Sequence, residues 1–527
     1  EITIADGSIK PLTESEKDSV FAIGYFPDDE RFLYTADQGG NELNHVYVRL
    51  LDGSTKDLTP GEQLKAQFAG WAHDDQSFYI ATNERDPKFF DVYEYQIDDF
   101  SREMIFRNEA GVFPGPISRD GQKIALSRIE TRDDSDIYIY DRQTGDLKCI
   151  TEHEGDINHQ PVTFTPDNRQ LLYTTDRDDE FRYLMKYDLE SGESELVANA
   201  GWDISSAAFS KQGKYFYYSF NDDGRTQYRM FEQATGEPVE LPKIEGGSLA
   251  TLNLSDDESH LTMYVSSGKM PLDLFYYGMS DQPPQQLTRS LNREISPEHL
   301  VNGDVVRFKS FDGTEIPGIL YLPKTASAEN QVPALVWVHG GPGGQSRLGY
   351  RALIQFLVNH GYAVYAINNR GSSGYGKSFQ QMDDQKHGEG DLDDCVHSKK
   401  MLVDTGVVDA DRIGIIGGSY GGYMVCAALA FRPEEFDVGV DIFGVTNWYR
   451  TVQSIPPWWE AQRKALEQEL GDFSDLEYFK KISPLFHAGN IVKPLMVLQG
   501  ANDPRVLKVE SDEMVQAVKE NGCLLYT

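Results

Sequence analysis

A short phrase that recurs six times, at intervals of 45 to 47 residues, constrains the fold of this 527-residue chain more than any other feature. Each copy consists of an apolar residue, a small or polar residue, a turn rich in Asp, Asn, Gln or Gly, and a run of aromatic and aliphatic residues. Such a period indicates an architecture of repeated units. The copies begin at Tyr25, Trp71, Ile117, Phe164, Phe209 and Leu254.

Each copy has the pattern of a β-hairpin followed by two more strands. Asp-Gly and Asp-Asn pairs tolerate the positive φ of tight turns, and the residues on both sides are rich in β-formers. An alternating third strand follows in most copies, as at residues 136–140 (DIYIY), and a fourth ends near a Leu-Thr or Ile-Thr pair, as at residues 150–151. This pattern predicts the four-stranded blades of a β-propeller over residues 1–290.

Residues 1–13, which end in Pro-Leu-Thr, have the pattern of only the last strands of one further blade. We therefore expect seven blades, the first of which lacks its opening strands. The alternative is that strands from both chain ends complete that blade. Because a propeller that does not close leaves strand edges unpaired, the pattern also predicts that the sequence begins inside a longer protein.

From residue 305 onward, short hydrophobic runs alternate with helical segments, after a predicted linker at residues 291–304. Residues 305–321 predict an opening hairpin with Asp-Gly at its turn. The alternation that follows favours a doubly wound, mostly parallel sheet with helices on both faces. Residues 305–527 are thus predicted to form one α/β domain, whose last strand is only beginning at residues 523–527.

Residues 417–422 (GGSYGG) contain a G-x-S-x-G motif, which alone is a weak signal because chance supplies roughly 0.2 to 0.3 copies in such a chain. Its setting is specific, since the hydrophobic run at residues 413–416 leads directly into it and a helical segment follows at once. A nucleophile elbow requires this strand, these small residues and this helix. The sequence therefore predicts Ser419 as the nucleophile of an α/β-hydrolase domain.

An acyl-transfer site also needs N–H donors for the developing oxyanion, each worth on the order of 3 kcal/mol. Residues 338–344 (VHGGPGG) follow a predicted strand and are of the HGG type that supplies one backbone donor, which we assign to Gly341. Tyr420, directly after the nucleophile, is the predicted second donor. His339 stands beside the glycines, where a role in shaping the loop is favoured over a role as catalytic base.

In this fold the catalytic acid follows the nucleophile on a later strand, and the histidine comes last. Asp503 stands just past the hydrophobic run at residues 495–498 and is the predicted acid, with a turn-forming Asn-Asp-Pro as the alternative. Asp441 lies inside a predicted strand and Asp437 before it, so both rank lower. No histidine follows Asp503 in the sequence. A serine without a base is a poor nucleophile, so we expect this sequence to be truncated and inactive by itself.

Composition excludes several classes of protein. A net charge of −35 and a pI near 4.6 repel phosphate backbones, so nucleic acid is not an expected partner. No apolar run approaches the roughly 20 residues of a membrane-spanning helix. Residues 1–20 show no signal peptide, which favours the cytoplasm, with export left open by the expected truncation. The cysteines match no metal-ligand or disulfide spacing, so neither metal nor cofactor is expected: Cys149, Cys395, Cys426 and Cys523.

Four motifs, in their order along the chain, resemble those of the prolyl oligopeptidase family of serine peptidases, and within it the acylaminoacyl-peptidase and dipeptidyl-peptidase-like branch. With the propeller, the resemblance covers essentially the whole chain. The motifs are residues 339–344 (HGGPGG), 369–376 (NRGSSGYG), 417–422 (GGSYGG) and 500–506 (GANDPRV).

This resemblance implies Ser419 as the nucleophile, Asp503 as the triad acid, and the amides of Gly341 and Tyr420 as oxyanion donors. It also implies a histidine beyond residue 527, after one more strand. A propeller in this family restricts access, so the expected substrates are short peptides.

The substrate preference and the oligomeric state are left open by the sequence. No paired acidic clamp for a free N-terminus stands out among the acidic residues of the propeller. Trp448, Trp458 and Trp459 are candidates for an apolar P1 pocket, and buried packing explains them equally well. Two other hypotheses are a propeller-based binding protein with an inactive hydrolase domain and an esterase with the same triad. The intact elbow, loop and acid argue against the first, and the propeller favours peptides over simple esters.

Overall fold

The structure, a computed structural model, describes residues 1–279, 282–523 and 525–526. The chain divides into two compact units. The first unit holds Glu1–Tyr218, Met230–Pro238 and Ile455–Leu466, and the second holds Ser219–Arg229, Val239–Ser454 and Glu467–Thr527. Throughout the described ranges, no helix has both the length and the apolar character needed to cross a membrane.

Six four-stranded antiparallel sheets, each made of four consecutive strands, form the propeller blades in the described residues. The first three blades are β1–β4 (Val20–Tyr25, Phe32–Ala36, His45–Arg49, Thr55–Asp57), β5–β8 (Ala66–Trp71, Ser77–Asp86, Phe89–Gln96, Arg102–Phe106) and β9–β12 (Phe113–Ile117, Lys123–Ile129, Ser135–Asp141, Leu147–Cys149). The next three are β13–β16 (His159–Phe164, Gln170–Thr175, Tyr183–Asp188, Ser194–Ala198), β17–β20 (Ile204–Phe209, Tyr215–Asp222, Arg225–Glu232, Pro238–Val239) and β21–β24 (Ser248–Leu254, His260–Ser266, Asp273–Gly278, Gln285–Gln286).

The recurring phrase forms the hairpin between the first and second strands of every blade, as predicted. In five of the six copies its fifth residue has a φ between 58° and 84°. The N–H of that residue donates to the carbonyl three residues earlier, over 2.8 to 3.1 Å. The turn therefore selects residues that tolerate this conformation, or glycine, which adopts it freely. The five residues are Asp75, Gly121, Asn168, Gly213 and Glu258.

The turns of four blades meet inside the first unit. The guanidinium of Arg119, in the third blade, donates to the carbonyl oxygens of Ser210 and Lys211 in the fifth, over 2.8 and 2.9 Å. Its backbone N–H donates to Oδ1 of Asn168 in the fourth blade over 2.8 Å. Lys211 also pairs with Asp75 of the second blade at 2.6 Å. These blades therefore converge at one end, as radial repetition requires.

The prediction of a seventh, incomplete blade is wrong, because the described propeller has six blades. Residues 1–13 make one isolated bridge, between Ile2 and Ile9, and within the described chain they pair with no propeller strand. Their backbone groups bond locally, with the N–H of Thr3 donating to Ser8 O and that of Gly7 to Thr3 O. Strands from the two chain ends do not complete a blade either, since each blade uses consecutive strands.

The second unit contains an eight-stranded sheet whose spatial order is β25-β26-β28-β27-β29-β30-β31-β32. The first two pairs in this order, β25-β26 and β26-β28, are antiparallel, and all later pairs are parallel. The predicted opening hairpin forms, with Gly313 at a φ of 87° in its turn. The strands are β25 to β32 in chain order: Asp304–Lys309, Glu315–Tyr321, Val332–Val338, Ala363–Ile367, Val408–Gly418, Gly439–Ile442, Leu495–Leu498 and Leu525–Tyr526.

Eight α-helices and four short 3₁₀ helices lie in the described part of the chain. The α-helices are α1 to α8 in chain order: Ala352–Asn359, Lys377–Gln380, Gly390–Asp404, Tyr420–Phe431, Trp448–Thr451, Arg463–Leu470, Leu476–Ile482 and Lys508–Glu520. The 3₁₀ helices are Pro297–His299, Gln381–Asp383, Pro457–Gln462 and Pro484–Asn490.

The centre of the eight-stranded sheet is buried on both faces, which explains its continuous hydrophobic runs. All five residues of β28 are buried, and α4 buries every residue from 423 to 430 completely. Helices α1, α3 and α4 pack against the strands from β27 to β30. The loops after the parallel strands emerge at the carboxyl edge of the sheet, where open α/β sheets bind their ligands.

Candidate active site

Ser419 occupies a tight turn between the end of β29 and the start of α4. Its φ of 57° and ψ of −119° are rare for a residue with a side chain. Such a conformation costs about 1–3 kcal/mol and persists only where the surrounding structure enforces it. The Ser419 N–H donates to Ile442 O over 3.0 Å, and its carbonyl accepts from Tyr423 N–H over 3.0 Å. The serine is therefore held between a central strand and a buried helix.

The glycines around Ser419 are required by close backbone contacts. A Cβ on Gly417 would lie 2.5 Å from the carbonyl oxygen of Gly421. A Cβ on Gly421 would collide with the carbonyl oxygen of Val338, at the end of β27. A side chain at either position would therefore force the turn open, which explains the glycine pattern around the serine.

The loop at residues 339–344 follows β27 and lies against the elbow. A Cβ on Gly340 would lie 3.5 Å from Ser419 Cβ and 3.9 Å from Ser419 Oγ. Gly341, the next residue, has a φ of 155° and precedes a cis peptide bond to Pro342. The structure thus brings the predicted glycine loop to the serine hydroxyl.

Both ring nitrogens of His339 lie within hydrogen-bond distance of atoms in the surrounding loops. Nδ1 lies 2.8 Å from Gly340 O, and Nε2 lies 2.8 Å from the hydroxyl of Ser372. Burial lowers the pKa of His339 to about 4. A neutral ring donates from only one of these nitrogens, and the Ser372 hydroxyl itself donates to Asn369 O over 2.6 Å. These contacts tie the glycine loop to the segment at residues 369–376.

Tyr420 begins α4 with its backbone N–H next to Ser419, and its side chain is anchored below the helix. The hydroxyl donates to Asp391 Oδ2 over 2.7 Å and lies 2.7 Å from Nδ1 of His387. Nε2 of His387 lies 2.9 Å from the carbonyl oxygen of Glu469. Burial raises the pKa of Tyr420 well above its usual value, so its hydroxyl stays neutral. Two separate segments, residues 387–391 and the segment at Glu469, therefore fix the first turn of α4.

Asp503 lies in the loop after β31, at the same edge of the sheet as Ser419. Its Oδ1 accepts from the N–H groups of Arg505 and Val506, over 2.9 and 3.0 Å. Among the described residues, Oδ2 makes no hydrogen bond. No described histidine is hydrogen-bonded to Ser419 or to Asp503. The structure therefore places Asp503 at the expected edge, in a turn that its own carboxylate stabilises.

Asp441 is a buried carboxyl group that packs directly behind the elbow. Its Oδ1 accepts from Gly444 N–H over 2.8 Å, and the Cys426 thiol lies 3.4 Å from Oδ2. A Cβ on Gly422 would collide with Oδ1. Burial raises the pKa of Asp441 to about 7. This residue therefore packs against the helix that carries the serine.

We expect Asp441→Asn to change how stability depends on pH. Between about pH 4 and pH 7 the folded protein keeps a proton on Asp441 that the unfolded chain has released, since an unperturbed Asp has a pKa near 3.9. The stabilisation that comes from this bound proton is thus complete below about pH 4. Toward pH 7 it is lost, and the free energy of unfolding falls by up to about 1.4 kcal/mol per pH unit. The variant should gain stability relative to wild type across this window. Urea unfolding at each pH measures the difference, and parallel curves would contradict the prediction.

A cavity of about 440 Å³ opens beside the serine in the second unit. Its walls include Ser419, Gly340 and Phe443. Two further lining residues, Arg347 and Arg351, were not predicted from the sequence. A signal was present, because two arginines four residues apart directly follow the glycine loop of a strongly acidic chain.

The three predicted pocket tryptophans lie in two different units. Trp448 begins α5 and is only 4% exposed. Its ring centroid lies 6.4 Å from that of Tyr420 and 5.4 Å from that of Tyr423. Trp458 and Trp459 belong to the first unit, in the 3₁₀ helix Pro457–Gln462. The structure therefore brings Trp448 alone of the three against the elbow helix within the second unit.

A propeller of four-stranded blades together with a strained serine turn in an α/β sheet defines the class as propeller-bearing proteins of the α/β-hydrolase fold. A profile described as the prolyl oligopeptidase family matches residues 349–526. A second, described as the N-terminal β-propeller domain of prolyl oligopeptidase, matches residues 13–289, more than half of the chain. The chain therefore belongs to the prolyl oligopeptidase family.

Individual relatives agree with this assignment. Dipeptidyl aminopeptidase BIII of Pseudoxanthomonas mexicana is 30% identical over 456 residues, which cover 83% of this chain and 65% of that enzyme. The acylamino-acid-releasing enzyme of Arabidopsis thaliana is 30% identical over 210 residues, which cover 38% of this chain and 28% of that one. The chain thus spans less than two thirds of the length of these curated relatives.

One solved structure shows the same fold. It is a puromycin-hydrolyzing peptidase of Mycobacterium tuberculosis, with a TM-score of 0.81 at 17% sequence identity. The superposition covers 99% of this chain and 85% of that structure.

Proposed function

We propose that this chain carries the nucleophile of a serine peptidase, with Ser419 attacking the peptide carbonyl carbon. The observation that most directly supports this proposal is the strained backbone conformation of Ser419, which lies at the carboxyl edge of the sheet next to Gly340. In this proposal the amides of Gly341 and Tyr420 bind the oxyanion, and Asp503 is the acid that orients the base.

The proposed chemistry follows from these positions. Attack by Ser419 Oγ would place negative charge on the carbonyl oxygen, between the glycine loop and the start of α4. Each N–H donor aimed there stabilises the transition state by about 3 kcal/mol. Collapse of the tetrahedral intermediate would release the amine and leave an acyl group on Ser419, which water then removes. We propose that the general base is a histidine. Among the described residues, no histidine is hydrogen-bonded to Ser419.

We propose short peptides as the substrates. Relatives at 30% identity are named for the release of dipeptides and of acylated amino acids, so small peptide substrates are what the family likeness supports. We further propose residues 305–527 as the peptidase domain and residues 1–290 as the propeller domain, joined at 291–304. Trp448, Trp458 and Trp459 remain a prediction for an apolar P1 pocket.

A fluorophosphonate probe tests the nucleophile directly. We expect the protein to be labelled at Ser419, and mass spectrometry of the labelled peptide identifies the site. Ser419→Ala serves as the control that removes the reacting atom.

Two results would contradict this proposal. Labelling that persists in Ser419→Ala would mean that another residue is the nucleophile. No labelling of the wild-type protein would favour a binding protein with an inactive hydrolase domain. If labelling occurs, comparing an ester with an amide of the same peptide separates an esterase from a peptidase.

A further inference from the structure

The cavity beside Ser419 has an unusual charge for this chain. The sequence carries 84 acidic and 49 basic residues. Among the described residues that line the cavity, none is acidic and two are arginines, Arg347 and Arg351. The lining histidine, His339, is neutral near pH 7 because burial lowers its pKa to about 4. The cavity is therefore a local cationic site in a protein of net charge −35.

Arg347 is half-buried, and among the residues that the structure describes its side chain makes hydrogen bonds only to neutral groups. Its Nη1 donates to Gln345 Oε1 over 3.2 Å, and its Nη2 donates to Thr226 Oγ1 over 3.0 Å. Of the two acidic residues in the turn of the same hairpin, Asp223 pairs with Arg307 at 2.9 Å and Asp222 accepts from Gln227. Within the described chain, no carboxylate lies within ion-pair distance of Arg347. A guanidinium has five N–H donors, so donors remain for a ligand.

Arg351 is exposed at the start of α1 and, in the described part of the chain, forms no ion pair. Burial without a counter-charge lowers the pKa of Arg347, which reflects a desolvation cost that folding alone leaves uncompensated. An anion bound in the cavity would offset that cost. Charged hydrogen bonds between arginine and carboxylate are the strong, geometrically specific form of this interaction.

The remainder of the cavity is apolar on one side. Tyr321, Ile354 and Ala366 are each less than 4% exposed, and Trp337 lies with them along the wall. A ligand that fits this lining carries an apolar group next to its carboxylate. A peptide can supply both the carboxylate and the apolar group. They are present at an apolar C-terminal residue, or where an acidic side chain stands beside an apolar one.

We propose that Arg347 and Arg351 bind a carboxylate of the substrate in the cavity beside Ser419, and so select acidic or C-terminally free peptides. This inference rests on the proposed peptidase function, because the cavity shares its wall with the proposed nucleophile. The arginines touch the substrate and set specificity. They take no part in bond breaking.

Calorimetric titration of the protein carrying Ser419→Ala, which cannot turn over a ligand, tests the subsite. The first probe pair is N-acetyl-Ala-Phe with a free carboxylate and its carboxamide. The second pair is N-acetyl-Ala-Glu-amide and N-acetyl-Ala-Gln-amide. We expect the charged member of at least one pair to bind about ten- to hundredfold more tightly. The first pair reports a C-terminal carboxylate, and the second reports an acidic side chain.

Substitution of each arginine should remove this preference. In Arg347→Gln and in Arg351→Gln the affinity ratio between charged and neutral probes should fall several-fold, and in the double variant it should approach one. Arg347→Lys keeps the charge without the planar fork, so it should retain part of the ratio. Arg293→Gln, an exposed arginine that does not line the cavity, is the matched control and should leave the ratio unchanged.

Unchanged ratios in Arg351→Gln and the double variant would overturn the inference, as would equal binding of all four probes. Arg351 is exposed and makes no described side-chain hydrogen bond, so a folding defect is not expected there. The binding result is separate from the labelling result. Labelling of Ser419 with no carboxylate preference refutes the subsite alone, whereas carboxylate preference without labelling refutes the peptidase alone.

Discussion

Replacing Ser419 with alanine should lower kcat/KM for peptide hydrolysis roughly 10⁶-fold, the loss typical when the nucleophile of a serine triad is removed. Only the attacking oxygen is lost. The elbow itself should survive, because its backbone is held by the Ile442 and Tyr423 contacts and by the flanking glycines. Hydrolysis of a chromogenic peptide, with thermal unfolding measured in parallel, checks both expectations.

Ser454→Ala provides a matched serine control. Ser454 is exposed, and its hydroxyl donates to Thr451 O over 3.3 Å, away from the glycine loop and the elbow. Its activity should equal that of wild type. If Ser419→Ala kept more than about 1% of the wild-type rate, the strained serine would not be the nucleophile, and the resemblance of the elbow would be structural only.

The repeat was predictable because its information is local. Each hairpin is decided within one phrase, where a residue that accepts positive φ stands at a fixed place in the turn, as Asn168 and Gly213 do. The seventh blade was predicted from residues 1–13 and their ending Pro-Leu-Thr, which says nothing about a partner strand. Strand formation at residues 1–13 depends on such a partner, and the described structure provides none.

The elbow was predictable for the same reason. The strand, the glycines and the helix around Ser419 are contiguous, so hydrophobic pattern and steric need coincide in one segment. The cavity was not predictable in this way. Arg347 donates a hydrogen bond to Thr226, which lies 121 residues away along the chain. Only the folded structure shows that no described carboxylate neutralises the charge of Arg347. Sequence proximity to the glycine loop could have suggested the arginines, but not that no described carboxylate pairs with them.

The other large effect is expected on stability, from the buried ion pair that anchors the loop at residues 369–376. Arg370 donates to both oxygens of Asp394 over 2.9 Å and also pairs with Asp312 at 3.0 Å. The Asp394 side chain is fully buried and also accepts from Ser310. Removing Asp394 leaves the buried guanidinium of Arg370 with only the more exposed Asp312 as a carboxylate partner, so Asp394→Ala should lower the free energy of unfolding by about 3 kcal/mol, the lower end of the range for a broken buried pair.

Asp512→Ala is the matched control for this prediction. Asp512 forms an exposed pair with Lys508 at 2.6 Å, one helical turn away, and the loss of such a pair should cost less than about 0.5 kcal/mol. Urea unfolding of both variants, followed by tryptophan fluorescence, measures the difference. Because Ser372 in the anchored loop contacts His339, Asp394→Ala should also slow labelling of Ser419 at temperatures where the protein is still folded. Equal, small losses in the two variants would show that burial does not make the Arg370 pair important for stability.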